Sequence, residues 1–246
     1  MSTENEWFKY WFDSKYYHIL YKNRSQNEAN YFIENSISKL NLDLDQNILD
    51  LGCGKGRHAY KLSQHFKHVT GLDLSPESIK SAKELKKENL EFHVMDMRSF
   101  KFSKPFNYIF NLFTSFGYFE DINQNLDVLN CCHNHLKDNG HILIDFLNPS
   151  LIKKKIIVNE TKEINNIVFN LNKSIVNDHI VKDIEIIDQE KQMHFQEKVQ
   201  LFEKENFIDL FDKSGFELIS TFGDYHLNEY TNDSERLILW AKKIKV

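Results

Sequence analysis

The chain has 246 residues, with 31 lysines and arginines against 36 aspartates and glutamates and a formal charge of −5. That balance gives no general electrostatic grip on a nucleic-acid backbone, and no apolar run approaches the roughly 20 residues that cross a bilayer. Three cysteines, Cys53, Cys131 and Cys132, make no C-x-x-C pair and have no histidines at zinc spacing, which predicts no metal site and a reduced, intracellular protein.

In chain order, the first 40 residues are dense in aromatics, among them Trp7, Phe8, Tyr10, Trp11, Phe12, Tyr16, Tyr17 and Tyr21. The opening MSTENEWFKYWFDS carries acids and lacks the parts of a signal peptide, so a cytoplasmic protein is expected. Rings at helical spacing pack cores, but tyrosines with one apolar body and one polar tip also suit the rim of a ligand site.

The stretch NILDLGCGKGRHAYKL, Asn47 to Leu62, follows. Ile48, Leu49 and Leu51 read as a buried strand, and from about Arg57 the spacing of Ala59, Leu62 and Phe66 becomes helical. Gly52, Gly54 and Gly56 therefore sit at a strand-to-helix turn, where bare backbone admits a ligand to unpaired N–H groups. The spacing G-x-G-x-G is not the dinucleotide fingerprint G-x-G-x-x-G, and no G-K-[ST] closes a phosphate loop. Asp50, two positions before the first glycine, would repel a pyrophosphate and suit an amino group.

Further strands are expected at His68–Leu72, Leu90–Met95, Tyr108–Leu112 and His141–Phe146, alternating with helices. SPESIKSAKELKKE opens with a serine cap and a proline at the first helical position. NQNLDVLNCCHNHLKDNG is read as a helix stopped at Asn139-Gly140. From about Ser150 to Leu201 the pattern changes to β-type stretches separated by the turn pairs Asn165-Asn166 and Asn177-Asp178, a small antiparallel insertion. A helix from Lys204 to Ser214 and strands at Glu217–Thr221 and Arg236–Ala241 complete the chain. The division expected is a cap plus core over 1–149, an inserted sheet over 150–201 acting as lid or dimer element, and completion of the core over 202–246.

Acids fall at three strand ends, Asp50, Asp73 in VTGLDLS and Asp96 in FHVMDM, where an open parallel sheet binds its ligands. The ordered series ILDLGCGKG, VTGLDLSPESIKSAK, FHVMDMRSF, FNYIFNLFTSFGYF and HILIDFLNP, across residues 47 to 148, resembles the class I S-adenosylmethionine-dependent methyltransferases. GFELISTFGDY and RLILWAKK resemble that family's last strand pair. The resemblance implies an α/β fold with a doubly wound, seven-stranded, mostly parallel sheet, its last strand antiparallel, carrying here the antiparallel β insertion.

It implies S-adenosyl-L-methionine as cofactor. Asp50, Gly52, Cys53 and Gly54 would lie along its methionine part and Asp73 would accept the ribose hydroxyls. Leu74 would pack on the adenine, Asp96 and the Met97 N–H would meet its edge, and Asn111 would stand near the methionine end. Tyr21 and Arg24 of the aromatic segment would close over it, with Arg24 pairing to the cofactor carboxylate. Asn107 departs from the acid many members carry before the fourth strand, and Arg57, His58 and Arg98 resemble small-molecule-type members.

Candidate bases or acceptor contacts are His18, His58, Tyr118 and Tyr225. The fourth-strand sequence NLFTSFGYF lacks the N/D-P-P-[FYW] pattern of adenine or glutamine amino-group methylation. A small-molecule acceptor is therefore expected, without nucleic acid or membrane, in a monomer or homodimer. RNA or protein methylation, or cofactor binding without catalysis, are the alternative readings.

Overall fold

The computed structural model describes residues 6–22, 26–85 and 87–244. Three helices come first: α1 (Trp7–Phe12), α2 (Lys15–Leu20) and α3 (Gln26–Lys39). The alternating core follows with β1 (Asn47–Leu51), α4 (Arg57–Leu62), β2 (His68–Asp73), α5 (Pro76–Ala82), β3 (Leu90–Val94), β4 (Phe106–Asn111), α6 (Ile122–His135) and β5 (Leu136–Leu147). Next come α7 (Pro149–Lys155), the strands β6 (Asn159–Ile164), β7 (Ile167–Val176), β8 (His179–Asp188) and β9 (Lys191–Gln200), and finally α8 (Lys204–Ser214), β10 (Phe216–Phe222) and β11 (Arg236–Lys243).

The strands form a seven-stranded sheet in the order β10-β11-β5-β4-β1-β2-β3 and a four-stranded sheet in the order β6-β7-β8-β9. In the large sheet β1 pairs parallel to both β2 and β4, and β11 runs antiparallel to β5 and β10. The strand order reverses between β1 and β4, which opens a crevice at their carboxyl ends. Each face of this sheet is covered. Val128 and Leu129 of α6 and Phe207, Leu210 and Phe211 of α8 bury one face, while Phe32 and Ile33 of α3, Leu62 of α4 and Ile79 of α5 bury the other. Burial on both sides is why β1 is apolar without alternation, with Ile48, Leu49 and Leu51 fully inside.

The small sheet has its own core, in which Phe169, Ile184 and Ile186 meet Trp11, Tyr16 and Leu20 of the N-terminal helices. Its hairpins turn at Asn165-Asn166 and Asn177-Asp178, all four residues left-handed, as two-residue primed turns require. The insertion and the aromatic segment are thus one packed unit over the carboxyl edge of the large sheet. Asp13 fastens it there by accepting the Ser75 hydroxyl at 2.6 Å and the Glu77 N–H at 3.0 Å at the start of α5.

Three boundaries differ from the sequence reading. The helix expected to stop at Asn139-Gly140 ends at His135, and Leu136, 2% exposed, already pairs with Phe106 of β4. Left-handed Asn139 belongs to an irregularity within β5, where the register shifts before Tyr108 meets His141. Helix α5 ends at Ala82 and tightens into i→i−3 bonds at Glu84 and Leu85. The inserted segment of β-type stretches expected from about Ser150 begins inside a helix. Asn148 caps α7 by accepting the Ser150 N–H at 3.1 Å, and Pro149 takes the first helical position.

Candidate active site

The turn after β1 is held by Leu72 of β2, whose carbonyl accepts from the N–H groups of both Gly52 and Cys53 at 2.8 and 2.9 Å. Gly52, Gly54 and Gly56 all have positive φ, at +77°, +54° and +80°. Their reasons for being bare differ. A Cβ on Gly52 would stand 2.9 Å from Ser115 Cβ, and one on Gly56 2.6 Å from the Phe92 ring. A Cβ on Gly54 would meet no atom within 4 Å. Close packing explains the outer two, and the middle glycine presents backbone to open space.

That space is a cavity of about 830 Å³ whose wall includes Gly52, Cys53, Gly54, Asp73, Leu74, Asp96 and Met97. Asp73 is fixed by the main chain, with Oδ2 accepting from Gly54 N at 2.8 Å and Oδ1 from Ser75 N at 2.9 Å. Burial raises its pKa above the usual carboxylate value against these bonds. Each oxygen keeps a lone pair for a ligand hydroxyl. Asp96 also lines the cavity, but its carboxylate accepts from the Arg98 guanidinium, whose Nη2 reaches Glu6 as well. Burial pushes Asp96 up, and the bonds from Arg98 outweigh it and hold the carboxyl below its ordinary value.

Two expected cofactor contacts lie elsewhere. Asp50 is 1% exposed beneath the turn and is not part of the cavity wall among the described residues. Its Oδ2 has no hydrogen-bond partner among the described residues, and burial pushes its pKa up to about 7. Asn111 is also off the wall and buried. Its amide donates to Leu51 O at 3.0 Å and Ser115 O at 3.3 Å, tying the ends of β1 and β4 together. Cys53 lines the cavity as a neutral thiol, since burial lifts it well above the usual range. Arg24 lies outside the described residues.

Of the proposed bases, His18, His58 and Tyr118 line the cavity. The Tyr118 hydroxyl donates to the Thr114 carbonyl. Tyr225 does not reach it: its ring stacks on Phe32 at 4.5 Å and its hydroxyl donates to Asp145 at 3.0 Å. The cap closes the site with Trp7, Phe8, Phe12, Tyr17 and Tyr21, which stand on the wall with the insertion residues Lys173, Ile180, Lys182, Glu197 and Val199. Tyr21 donates to Glu197 at 2.6 Å, Trp11 Nε1 donates to the same carboxylate at 2.7 Å, and Lys182 pairs with it at 2.6 Å.

The sequence reading missed the turn after β4. Phe113 and Thr114 are both left-handed, at φ +58° and +59°, an uncommon state for residues with a Cβ. Buried Asp145 holds them: Phe113 N donates to its Oδ2 at 2.8 Å and Thr114 N to its carbonyl at 2.9 Å. Arg236, on the cavity wall, donates through Nε to Asp145 at 2.7 Å and through Nη2 to Thr114 at 2.9 Å. Asp145 inside the apolar run HILIDF was the available signal, since a lone acid there needs a partner.

Residues 48–140 match a family model described as a methyltransferase domain. A curated relative, the dTDP-3-amino-3,4,6-trideoxy-alpha-D-glucopyranose N,N-dimethyltransferase of Streptomyces venezuelae, is 26% identical over 98 residues. The match covers 40% of this chain and 41% of that protein, so it spans less than half the length of the relative. An S-adenosylmethionine-dependent methyltransferase from Clostridium acetobutylicum superposes with a TM-score of 0.78 at 19% identity, over 94% of this chain and 96% of that one. CalS10 of Micromonospora echinaspora, an amino pentose methyltransferase solved with S-adenosylmethionine, gives 0.67 at 18% identity, over 94% and 97%. These likenesses share the doubly wound sheet, and the matched segment holds the glycine turn, Asp73 and Asp96. Residues 48–140 are thus similar to a methyltransferase domain, and both solved methyltransferases share the fold of the whole described chain.

Proposed function

We propose that this protein transfers a methyl group from S-adenosylmethionine to an amine of a small-molecule acceptor. The observation that carries the reading is the cavity at the switch point. At about 830 Å³ it lies near the upper end of the roughly 300–1,000 Å³ that holds one drug-sized ligand, leaving room for a cofactor and a small second molecule. The inserted segment 150–201, packed with the aromatic helices α1 and α2, acts as a lid over the α/β core. The dimethyltransferase of Streptomyces venezuelae and CalS10 carry amino sugars in their names, which supports nitrogen as the acceptor atom.

The wall fits the cofactor. Gly54 would admit its amino-acid portion to the main chain beside Gly52, Asp73 would accept its ribose hydroxyls, and Leu74 and Met97 would flank its adenine. When bound, it supplies an activated methyl carbon that the acceptor nitrogen's lone pair attacks while the sulfur keeps the electron pair of the broken bond. The chain positions the acceptor and excludes water with its aromatic cap. His18 or His58 takes the proton that the alkylated nitrogen releases.

The test is calorimetric titration with S-adenosylhomocysteine, followed by turnover on a panel of amines scored by S-adenosylhomocysteine release. Binding with amine-dependent release supports the reading. Binding with no turnover on any amine, alcohol or thiol would leave a cofactor-binding protein.

A further inference from the structure

The cavity wall carries seven lysine and arginine side chains and three carboxylates among the described residues, in a chain of formal charge −5. Part of that excess is internally matched. Arg236 is paired to Asp145 and Lys182 to Glu197. On α7, Lys153 pairs with Glu203 and Lys154 with Asp233, whereas the third lysine of the run, Lys155, turns to the cavity and has no ion-pair partner among the described residues.

Lys173 is the sharper case. It sits on β7 directly opposite Lys182 of β8, which is directly opposite Glu197 of β9. All three line the cavity. Like charges facing each other across a strand pair destabilise the sheet, and the one acid of the row is occupied by Lys182, Tyr21 and Trp11. Lys173 therefore has a cation for a cross-strand neighbour and no acid within pairing distance among the described residues. Burial, and then Lys182, pull its ammonium below the ordinary lysine value, with Lys162 adding to the effect and Glu160 and Glu197 opposing it.

We infer that the lid's Lys173, with Lys182 beside it and Lys155 at the rim, forms a subsite for an anionic group, phosphate or carboxylate, on the methyl acceptor. This rests on the function proposed above and narrows it to acceptors that carry negative charge away from the reacting nitrogen. An anion between these ammonium groups would remove the cross-strand repulsion and gain charge-assisted hydrogen bonds. The lid would then be more stable with acceptor than without it, so docking the anion would favour closure over the cofactor.

The experiment titrates protein saturated with S-adenosylhomocysteine with inorganic pyrophosphate and, separately, with succinate. It uses the wild type, Lys173→Gln, Lys155→Gln and, as a surface control, Lys67→Gln. The expected result is anion binding by wild type and Lys67→Gln, weakened about tenfold or more in Lys173→Gln and less in Lys155→Gln, with S-adenosylhomocysteine affinity equal in all four. The tighter probe tells phosphate from carboxylate. Equal anion affinity in wild type and both lid variants, or no anion binding while S-adenosylhomocysteine still binds, would overturn the subsite and leave the methyltransferase reading standing. Loss of S-adenosylhomocysteine binding in the wild type would instead remove the reading on which the subsite rests. If Lys173→Gln fails to fold, Lys155→Gln decides by the same comparison.

Discussion

Asp73 Oδ2 accepts the N–H of Gly54 at 2.8 Å, so the end of β2 and the turn after β1 are one rigid element. The carboxylate is thereby aimed before any ligand arrives, and the hydroxyls of a ribose would find it already oriented. Hydrogen bonds to a charged acceptor contribute about 1.5–3 kcal/mol each. Asp73→Asn, which retains one acceptor oxygen for the turn, is expected to weaken S-adenosylhomocysteine binding by about 10- to 100-fold. Titration calorimetry checks this, and unchanged affinity would put the ribose elsewhere.

The three turn glycines separate folding from binding. Gly54→Ala and Gly56→Ala share the left-handed cost of about 1–2 kcal/mol, because φ is +54° and +80°. Only Gly56→Ala also drives a methyl to 2.6 Å from Phe92, adding about 1–3 kcal/mol of overpacking. Gly56→Ala is therefore expected to lower the melting temperature more, while Gly54→Ala, whose methyl enters the cavity, loses more S-adenosylhomocysteine affinity. Melting curves and titrations on both variants should cross in that way.

What the sequence could and could not convey follows from the range of each interaction. The glycine turn and the hairpin pairs Asn165-Asn166 and Asn177-Asp178 are legible because local backbone geometry demands those residue types. Asp50 and Asn111 stand at strand ends, where the sequence points to a ligand, yet both are buried off the cavity wall. Position along a strand does not reveal which way a side chain is covered. Arg236 with Asp145, and Lys182 with Glu197, were invisible for another reason. Such pairs join residues 91 and 15 positions apart, and only the assembled sheets bring them together.

Asp50 sets a pH dependence. Its folded value is raised to about 7 by burial, with Asp73 adding to the rise and Ala59 N–H and Arg57 opposing it. A raised carboxyl binds more protons folded than unfolded. Its contribution to stability is therefore greatest below the unfolded value of about 4 and declines as pH climbs to about 7, by on the order of 4 kcal/mol. Asp50→Asn should abolish that decline and be the more stable protein at neutral pH. Urea unfolding of both proteins at pH 5 and pH 8 measures it, and parallel pH profiles would contradict the assignment.

Glu197 behaves with the opposite sign. Burial pushes its carboxyl up, but the charge of Lys182 and hydrogen bonds from Lys182, Tyr21 and Trp11 overcome this and hold it below the ordinary value. The stability it contributes is present above the unfolded value of about 4.3 and is lost as pH falls through the lower folded value. Removing one partner of a buried pair costs about 3–5 kcal/mol because the other charge is stranded. Glu197→Ala should thus cost about that much, and Lys182→Ala less, since Tyr21 and Trp11 still serve the carboxylate. The double variant should be less destabilised than the sum of the two singles. A double-mutant cycle by urea unfolding reads the coupling directly, and strict additivity would mean that the small sheet is held to the N-terminal helices by apolar contacts alone, with Phe169 and Ile184 against Trp11 and Leu20.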